Sequence, residues 1–238
     1  MDENIIKTGS ETYSSAIEHA HNYTKWVLSP FTPYIGKSVL EVGLGHGGYK
    51  EYLPDNIKYI GIDIDTLSIN KAKSKYPNDI FMQGDITDSS IKTTLNNINI
   101  DSILCINVLE HIENDSLCIK NMLDILQEGG HLFLFIPAFQ HIYNELDAMA
   151  GHFRRYTKKS ISSLIPENGQ VVHCKYFNAL GGIGWWLNGF IKHNSLNTSA
   201  MNNQIVIFDK YILPISKILD HITNKYFGQS LICIVKKV

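Results

Sequence analysis

A cluster of glycines follows a short apolar segment and is the first stretch of this chain that could hold a ligand. Residues 38–42 are typical of a buried parallel strand, and glycines stand at positions 43, 45, 47 and 48. Glycine lets the backbone turn sharply and approach a ligand without an intervening Cβ. Residues 49–53 predict the first turns of a helix, whose free N–H groups favour a negatively charged group. Strand, turn and helix together predict a cofactor cradle.

Acidic residues stand at two informative distances from these glycines. Residues 43–48 satisfy the dinucleotide pattern G-x-G-x-x-G, and Asp63 lies 20 residues after Gly43, where that pattern places an acid. Residues 43–47 equally satisfy G-x-G-x-G, preceded by an acid at Glu41. The glycines alone therefore leave the identity of the cofactor open.

The elements that must position these residues alternate along the chain. Strands are predicted near residues 38–42, 58–63, 79–83, 101–106 and 131–136, and helices near 47–53, 67–75, 89–96 and 113–127. This alternation indicates βαβ units and a parallel sheet with right-handed crossovers. Ligands bind beyond the carboxyl ends of such strands, which is where the acids fall.

Five segments in a fixed order resemble class I S-adenosylmethionine-dependent methyltransferases. They are residues 41–47, 61–64, 84–86, 107–112 and 126–132. The last departs from the family pattern at Glu128, where proline is commoner. Residues 151–157 also resemble a segment of a bacterial subgroup of type 11 and 12 methyltransferases, some of them encoded near sugar or secondary-metabolite pathways.

The resemblance implies an α/β fold of the Rossmann-like, doubly wound type, with a mostly parallel seven-stranded sheet, one antiparallel strand and a helical lid. We expect a single domain over residues 1–238. Within it, residues 1–36 would form an N-terminal helical lid, and residues 137–157 and 178–229 would be insertions on the substrate side. A helix predicted over residues 14–28 carries Tyr23 and Trp26, which either pack on the domain or cover the cofactor.

The predicted cofactor is S-adenosyl-L-methionine. Asp63 ends the second strand, where a carboxylate can accept hydrogen bonds from both ribose hydroxyls, and Ile64 would present an apolar face to the adenine. Asp85 can accept from the exocyclic amine of adenine while the backbone of Ile86 addresses the ring. Each acid also has a structural interpretation, as a helix cap or a turn residue, and Asp65 is assigned only such a cap.

The amino-acid end of the cofactor is assigned from the family. Glu41 lies inside a strand, where a carboxylate is costly without a partner, so its partners are loop N–H groups or the cofactor's ammonium group. Asn107 would offer its backbone carbonyl to the same ammonium. The glycine turn completes the set of cofactor-binding residues with Gly43, Gly45 and Gly47.

A sulfonium already carries an activated methyl group, so we expect neither a metal ion nor a covalent intermediate. The protein must place a nucleophile in line with the S–CH₃ bond, and a base must take the proton of a hydroxyl or ammonium nucleophile. His111, which follows Glu110 at the end of the fourth strand, is one candidate base. His141 and His152 are two others.

Residues 137–157 form a polar stretch after the fifth strand, as expected of a substrate-facing loop or of an incidentally charged one. An arginine can hold a carboxylate or phosphate with two hydrogen bonds, so one of Arg154 and Arg155 could anchor an acidic substrate. The predicted substrate-binding residues are Tyr143, Arg154, Arg155, Tyr156 and Trp185.

Composition limits the remaining possibilities. The net charge of −2 offers no basic field for a nucleic acid. Residues 178–191 are apolar but short and interrupted by glycines, so we expect a pocket wall or a homodimer face, and last a shallow membrane contact, without stable insertion. The four cysteines are scattered and predict free thiols, and the first residues resemble no export signal, which places the protein in the cytosol.

The sequence thus predicts methyl transfer from S-adenosylmethionine to an oxygen or nitrogen of a small metabolite. One alternative is a related enzyme that cyclises the aminobutyrate arm of the cofactor and releases methylthioadenosine. Two others are a nicotinamide-dependent oxidoreductase and a non-catalytic binding protein, because fold alone does not fix function.

Overall fold

The computed structural model describes residues 15–45, 47–193, 195–196 and 198–238. His46, part of the predicted glycine turn, and residues 1–14, the start of the predicted lid, lie outside this description.

The described residues form a seven-stranded sheet in the order β3-β2-β1-β4-β5-β7-β6. Its strands are β1 (Ser38–Val42), β2 (Lys58–Asp63), β3 (Ile80–Gln83), β4 (Ile100–Ile106), β5 (Leu126–Pro137), β6 (Gly169–Phe177) and β7 (Ser230–Lys237). Strand β7 runs antiparallel to both of its neighbours, β5 and β6, and the other pairings are parallel. The predicted fold class is confirmed.

Nine α-helices lie in the described part of the chain. They are α1 (His21–Leu28), α2 (Thr66–Lys75), α3 (Ser89–Leu95), α4 (Asp115–Ile125), α5 (Glu145–Ala150), α6 (Lys158–Leu164), α7 (Ala179–Asn188), α8 (Ser199–Ile207) and α9 (Leu213–Thr223). Asp65 caps α2, since its carboxylate accepts hydrogen bonds from the backbone N–H groups of Leu67 and Ser68, both at 3.1 Å. This is the structural role predicted for Asp65. None of the described helices is long and apolar enough to cross a bilayer.

Two apolar clusters cover the two faces of the sheet. Leu40 and Val42 of β1 face one cluster, which includes Ile119 of α4. Val39 faces the other, which includes Val27 of α1 and Ile69 of α2. Because side chains alternate along a strand, Glu41 shares the second face with Val39 and is buried there.

The prediction of a helix after the glycine turn is wrong. Only the three residues Lys50–Tyr52 are helical, in a 3-10 turn, and Leu53 is extended with ψ 158°. Pro54 follows Leu53, and the residue before a proline is pushed out of the helical region. No α-helix N-terminus therefore faces the described glycines of the turn.

Two further helix predictions change in extent. The predicted helix 14–28 is a 3-10 turn over Ser15–His19 followed by α1. The sequence also predicts a helix near residues 204–224, interrupted at Pro214; in the structure the helix begins earlier, with α8, and continues through a wide π-helical turn at Phe208–Ile212 into α9. Pro214 stands in the first turn of α9, directly after that π-helical turn.

Candidate functional site

The candidate site lies at the carboxyl edge of the sheet, around the central strand β1. Strand β1 pairs with β2 on one side and β4 on the other, so the chain reverses its direction of winding there. Asp63 ends β2 and Asn107 follows β4, which brings residues distant in sequence to the same edge. The predicted location of the ligand site agrees with this switch point.

The glycine turn is closely packed and held by Asp63. Gly43 has φ +71°, and a Cβ there would lie 2.3 Å from Cγ2 of Val108. The N–H of Gly45 donates to Oδ2 of Asp63 at 2.9 Å, and the N–H of Asp65 donates to Oδ1 at 2.8 Å. One carboxylate thus fixes the glycine turn and the start of α2 while keeping lone pairs for a ligand.

The side chains around Asp63 suit a nucleoside. Asp63 is 8% exposed, and although its backbone partners favour the carboxylate, burial raises its pKa. Two further hydrogen-bond donors, such as the two ribose hydroxyls, would stabilise the carboxylate and offset the effect of burial on its pKa. Ile64 is 45% exposed beside it and presents an apolar surface that suits an adenine ring.

Asp85 combines a turn with a possible ligand contact. Its Oδ1 accepts from the N–H and hydroxyl of Thr87, at 2.8 and 2.7 Å, which is the turn geometry considered as its alternative role. The other carboxylate oxygen of Asp85, Oδ2, takes no part in that turn. Ile86 is buried, and its carbonyl accepts from Nδ2 of Asn121 at 3.0 Å, so the backbone at this strand end is fixed.

Glu41 is the most informative residue of the cradle. It is 1% exposed; Oε2 accepts from the Tyr59 hydroxyl, whereas Oε1 has no hydrogen-bond partner among the described residues. Burial raises the pKa of Glu41 to about 8, with the Tyr59 hydrogen bond opposing and the Asp63 charge adding. An orphaned, buried carboxylate oxygen fits a cationic ligand such as the cofactor's ammonium group.

We expect Glu41→Gln to stabilise the ligand-free protein at pH 8 and to weaken cofactor binding. The folded pKa of about 8 exceeds the ordinary 4.5, so the wild-type protein takes up a proton on folding. The stabilisation from this proton is complete below pH 4.5 and is lost as the pH rises through 8. Glutamine stays uncharged as the pH rises, so the variant avoids this loss of stability. For the same reason it cannot neutralise an ammonium group.

Urea unfolding between pH 5 and pH 9 would measure this effect. Across this pH range, the unfolding free energy of wild type should fall by a few kcal/mol, whereas that of the variant should stay nearly constant. Parallel slopes in the two proteins would contradict the raised pKa of Glu41.

A second cluster lies beyond β4 and contains two of the three candidate bases. His111 ends a 3-10 turn over Leu109–His111, and His152 follows the left-handed Gly151 that ends α5. The two imidazole rings lie 4.7 Å apart between centroids, at 80° to each other. Nε2 of His152 is 3.9 Å from Oε1 of Glu110.

Asp147 orients this cluster and was not assigned a role from the sequence. It is fully buried, and its Oδ1 accepts from Nδ1 of His152 at 2.7 Å and from Nε of Arg155 at 2.8 Å. Its Oδ2 accepts from Nε1 of Trp185 and from the N–H of Asn144, both at 3.0 Å. Burial raises the pKa of Asp147, but the His152 hydrogen bond and the Arg155 charge outweigh it and hold that pKa below its ordinary value. The resulting carboxylate holds His152 with Nδ1–H as donor, which leaves Nε2 as an acceptor.

The pKa values of Glu110 and His111, which lie in the 3-10 turn after β4, are shifted in opposite directions. Burial raises the pKa of Glu110 to about 7 against the pull of His152 and Arg155, and its Oε2 has no partner among the described residues. Burial and the neighbouring His152 lower the pKa of His111 to about 3. His111 is therefore neutral at physiological pH.

Glu110, His111 and His152 also form a set of potential metal ligands. Their ligand atoms lie within 4.8 Å of one another, and two imidazoles with one carboxylate suit a divalent transition metal. The sequence predicted no metal ion here, so this alternative arises from the tertiary structure.

The other predicted site residues lie around this cluster. The Tyr143 hydroxyl donates to the His152 carbonyl at 2.8 Å, and Trp185 reaches Asp147 as described. His141 is exposed, with its ring 5.2 Å from that of Phe139, and it makes no described contact with the histidine pair.

Three predicted substrate-binding residues are paired within the chain. Arg154 lies 2.8 Å from the Asp115 carboxylate, which also accepts from the hydroxyl of the buried Tyr156 at 3.0 Å. Arg155 is 6% exposed and packs over the Trp185 ring at 5.0 Å. These contacts give all three residues structural roles, and their contact with a substrate stays a prediction.

The aromatic residues of α1 pack on the domain. The Trp26 and Phe177 rings lie 4.0 Å apart, and Tyr23 contacts Phe177 and Phe208 edge-on. Packing accounts for both residues without a ligand.

Comparisons with known proteins show what this chain is similar to. Residues 40–134 match the family model of the methyltransferase domain. No curated protein matches the chain.

Several solved structures share the fold over almost the whole chain. A SAM-dependent methyltransferase from Archaeoglobus fulgidus has 15% sequence identity and a TM-score of 0.56, covering 90% of this chain and 93% of that one. The N-methyltransferase NodS from Bradyrhizobium japonicum, in complex with S-adenosylhomocysteine, has 16% identity and a TM-score of 0.52, covering 94% and 88%. A methyltransferase in complex with the Trm112 activator of Haloferax volcanii has 11% identity and a TM-score of 0.58, covering 94% of each chain.

Proposed function

We propose that this chain, a class I S-adenosylmethionine-dependent methyltransferase, methylates an oxygen or nitrogen atom of a small metabolite in the cytoplasm. The observation that carries the proposal is the buried Asp147–His152 pair beside the end of β4. An imidazole that a carboxylate orients is a group that can accept the proton of such an acceptor.

The chain's own residues divide into a binding and a reacting set. The residues proposed to hold the cofactor are Glu41, Gly43, Gly45, Gly47, Asp63, Ile64, Asp85, Ile86 and Asn107. When bound, S-adenosylmethionine supplies a methyl group already activated by its sulfonium. The protein then has to align the acceptor atom and exclude water.

His152 is proposed as the general base. Its Nε2 would take the proton of an acceptor hydroxyl as the methyl is transferred, or the proton of an acceptor ammonium before the transfer so that the nitrogen lone pair is free to attack, and Asp147 would stabilise the imidazolium that results. Glu110, 3.9 Å from Nε2, would add to that stabilisation when ionised. Neutral His111, packed against His152, would line the pocket.

The structure weighs against a dinucleotide in the same cradle. A dinucleotide places its pyrophosphate on the N-terminus of the helix after the glycine turn. Here that position holds a three-residue 3-10 turn at Lys50–Tyr52 instead of an α-helix. The cofactor S-adenosylmethionine has no phosphate and needs no such helix.

Product analysis tests the proposed reaction. We expect incubation with S-adenosylmethionine and pools of small metabolites to yield S-adenosylhomocysteine and one methylated metabolite, identified by mass spectrometry. Methylthioadenosine formed without any acceptor would indicate cyclisation of the aminobutyrate arm. Binding of the cofactor without either product in any pool would favour a non-catalytic protein.

A further inference from the structure

All four cysteines of this chain are free thiols, and two of them lie directly opposite each other in the sheet. Cys174 of β6 pairs with Cys233 of β7 in antiparallel register. Both side chains face the apolar cluster that contains Leu40, with Cys233 inside the cluster and Cys174 packed against it. The two thiols are therefore neighbours, although they are far apart in the sequence.

The backbone around this pair brings its side chains close together. In an antiparallel ladder, hydrogen-bonded pairs alternate with non-hydrogen-bonded pairs, whose side chains lie closer to each other. The N–H of Tyr176 donates to the carbonyl of Asn224 at 2.8 Å and so points away from β7. Cys174 lies two residues earlier and has the same orientation, so its pair with Cys233 is of the non-hydrogen-bonded kind. The Cα atoms of such a pair are about 4.5 Å apart, within the range of about 4.4–6.8 Å that a disulfide spans.

The two thiols differ in accessibility and in acidity. Cys233 is fully buried, whereas Cys174 is half-buried. A hydrogen bond donated by the Cys233 thiol lowers the pKa of Cys174; burial opposes this, and the charge of Lys158 adds to it. The same hydrogen bond, together with burial, raises the pKa of Cys233 well above its ordinary value. Cys174 is thus the thiol that ionises more readily, and the thiolate is the reactive form of cysteine.

Lys158 is held over the same face of β6 as Cys174. Its Nζ lies 4.8 Å from the centre of the Tyr176 ring and donates to the Lys225 carbonyl at 3.1 Å. Tyr176 stands two residues from Cys174, and alternate residues of a strand share a face. An ammonium group fixed on this face favours the negatively charged form of the Cys174 thiol.

We propose that Cys174 and Cys233 form a reversible disulfide when the protein meets a peroxide. The Cys174 thiolate attacks a peroxide oxygen, the O–O bond breaks, and the departing hydroxide takes a proton from solvent, which leaves a sulfenic acid and water. The Cys233 thiol then attacks the sulfenic sulfur; the S–S bond forms, the S–O bond breaks, and a second water leaves with the Cys233 proton. The two sulfurs together lose two electrons, which reduce the peroxide. The new bond would join the two ends of the segment that carries α7, α8 and α9.

Peptide mapping of the oxidised full chain tests the proposal. The reduced chain is treated with hydrogen peroxide, its remaining thiols are blocked with N-ethylmaleimide under denaturing conditions, and it is digested with trypsin. Cleavage after Lys175 and Lys225 places Cys174 and Cys233 on separate peptides. We expect mass spectrometry to find these two peptides joined and the number of blocked thiols to fall from four to two. Dithiothreitol should restore all four.

Variants separate the roles of the two thiols and of the lysine. Cys233→Ala should leave Cys174 as a sulfenic acid that dimedone labels, because the second thiol is absent. Cys118→Ala is the matched control, since Cys118 is equally buried, and it should retain the joined peptides. Lys158→Gln should slow the loss of thiols several-fold, whereas Lys159→Gln, at an exposed neighbouring position, should not. Circular dichroism would establish that the variants are folded.

Three results would overturn the proposal. One is a wild-type chain that keeps four free thiols after treatment with peroxide. The others are a disulfide that joins Cys105 to Cys118 and a disulfide between two copies of the chain, which non-reducing electrophoresis would detect as a dimer. Because the mapping needs neither cofactor nor acceptor, its result is independent of the proposed methyl transfer.

Discussion

We expect Asp63→Ala to weaken the binding of S-adenosylmethionine by about 100-fold or more while the protein stays folded. A hydrogen bond to a charged group contributes about 1.5–3 kcal/mol, and Asp63 is proposed to accept two from the ribose. Losing both removes at least about 3 kcal/mol, and about 1.4 kcal/mol corresponds to a factor of ten. Isothermal titration calorimetry with S-adenosylhomocysteine, which is chemically stable, measures the loss.

Asp63 also holds the glycine turn, so its two effects must be separated. Asp63→Asn keeps one side-chain oxygen for the N–H of Gly45 but loses the charge, and it should fall between wild type and alanine. Asp65→Ala is the matched control two residues away, because it removes the cap of α2. We expect it to cost about 1 kcal/mol of stability and to leave affinity nearly unchanged. Equal affinity losses in the Asp63 and Asp65 variants would refute the ribose assignment.

We expect His152→Ala to lower kcat by about 10²- to 10⁴-fold with little change in the affinity for S-adenosylmethionine. Removing the imidazole removes the proposed base and leaves the cradle around Glu41 and Asp63 intact. The measurement is methyl transfer to the acceptor found by product analysis, with cofactor affinity determined separately. His141→Ala is the control, because this histidine is exposed and outside the cluster. If His152→Ala kept the full rate of methyl transfer, then either another residue would be the base or the reaction would need none.

A chelator distinguishes the base from a metal ligand. We expect extensive dialysis against EDTA to leave the wild-type rate unchanged, since the sulfonium needs no Lewis acid. If EDTA abolished the rate and Zn²⁺ or Mn²⁺ restored it, Glu110, His111 and His152 would be ligands. The proposal that His152 is the base would then be wrong.

The prediction of the sheet from sequence succeeded because buried parallel strands are short apolar segments bounded by turn residues. Strands β1 and β2 have the predicted bounds, and β3 and β4 differ by a single residue at one end. Strand β5 begins five residues before its predicted start, at Leu126, which pairs with Ile100 of β4. The prediction of a helix after the glycine turn was wrong because it did not take into account that Pro54 disfavours a helical backbone at Leu53.

The cradle residues could be proposed from sequence because their placement follows from a local rule. Each lies within a few residues of a strand's carboxyl end, and parallel strands bring those ends to one edge. Neither the orphaned Oε1 of Glu41 nor the second role of Asp63 in holding Gly45 is visible in the sequence, since both depend on neighbouring strands.

The sequence by itself predicted the fold class, S-adenosylmethionine as the cofactor, and the edge of the sheet where it is proposed to bind. The tertiary structure alone decided which polar residues beyond β4 act together. It joined Asp147 to His152, Arg155 and Trp185, set this group beside Glu110, and left His141 exposed outside it. The physical reason is that strand and glycine patterns report contacts made within a few residues. The pairing of buried charges depends instead on how separate segments pack, and spacing along the chain carries no record of it.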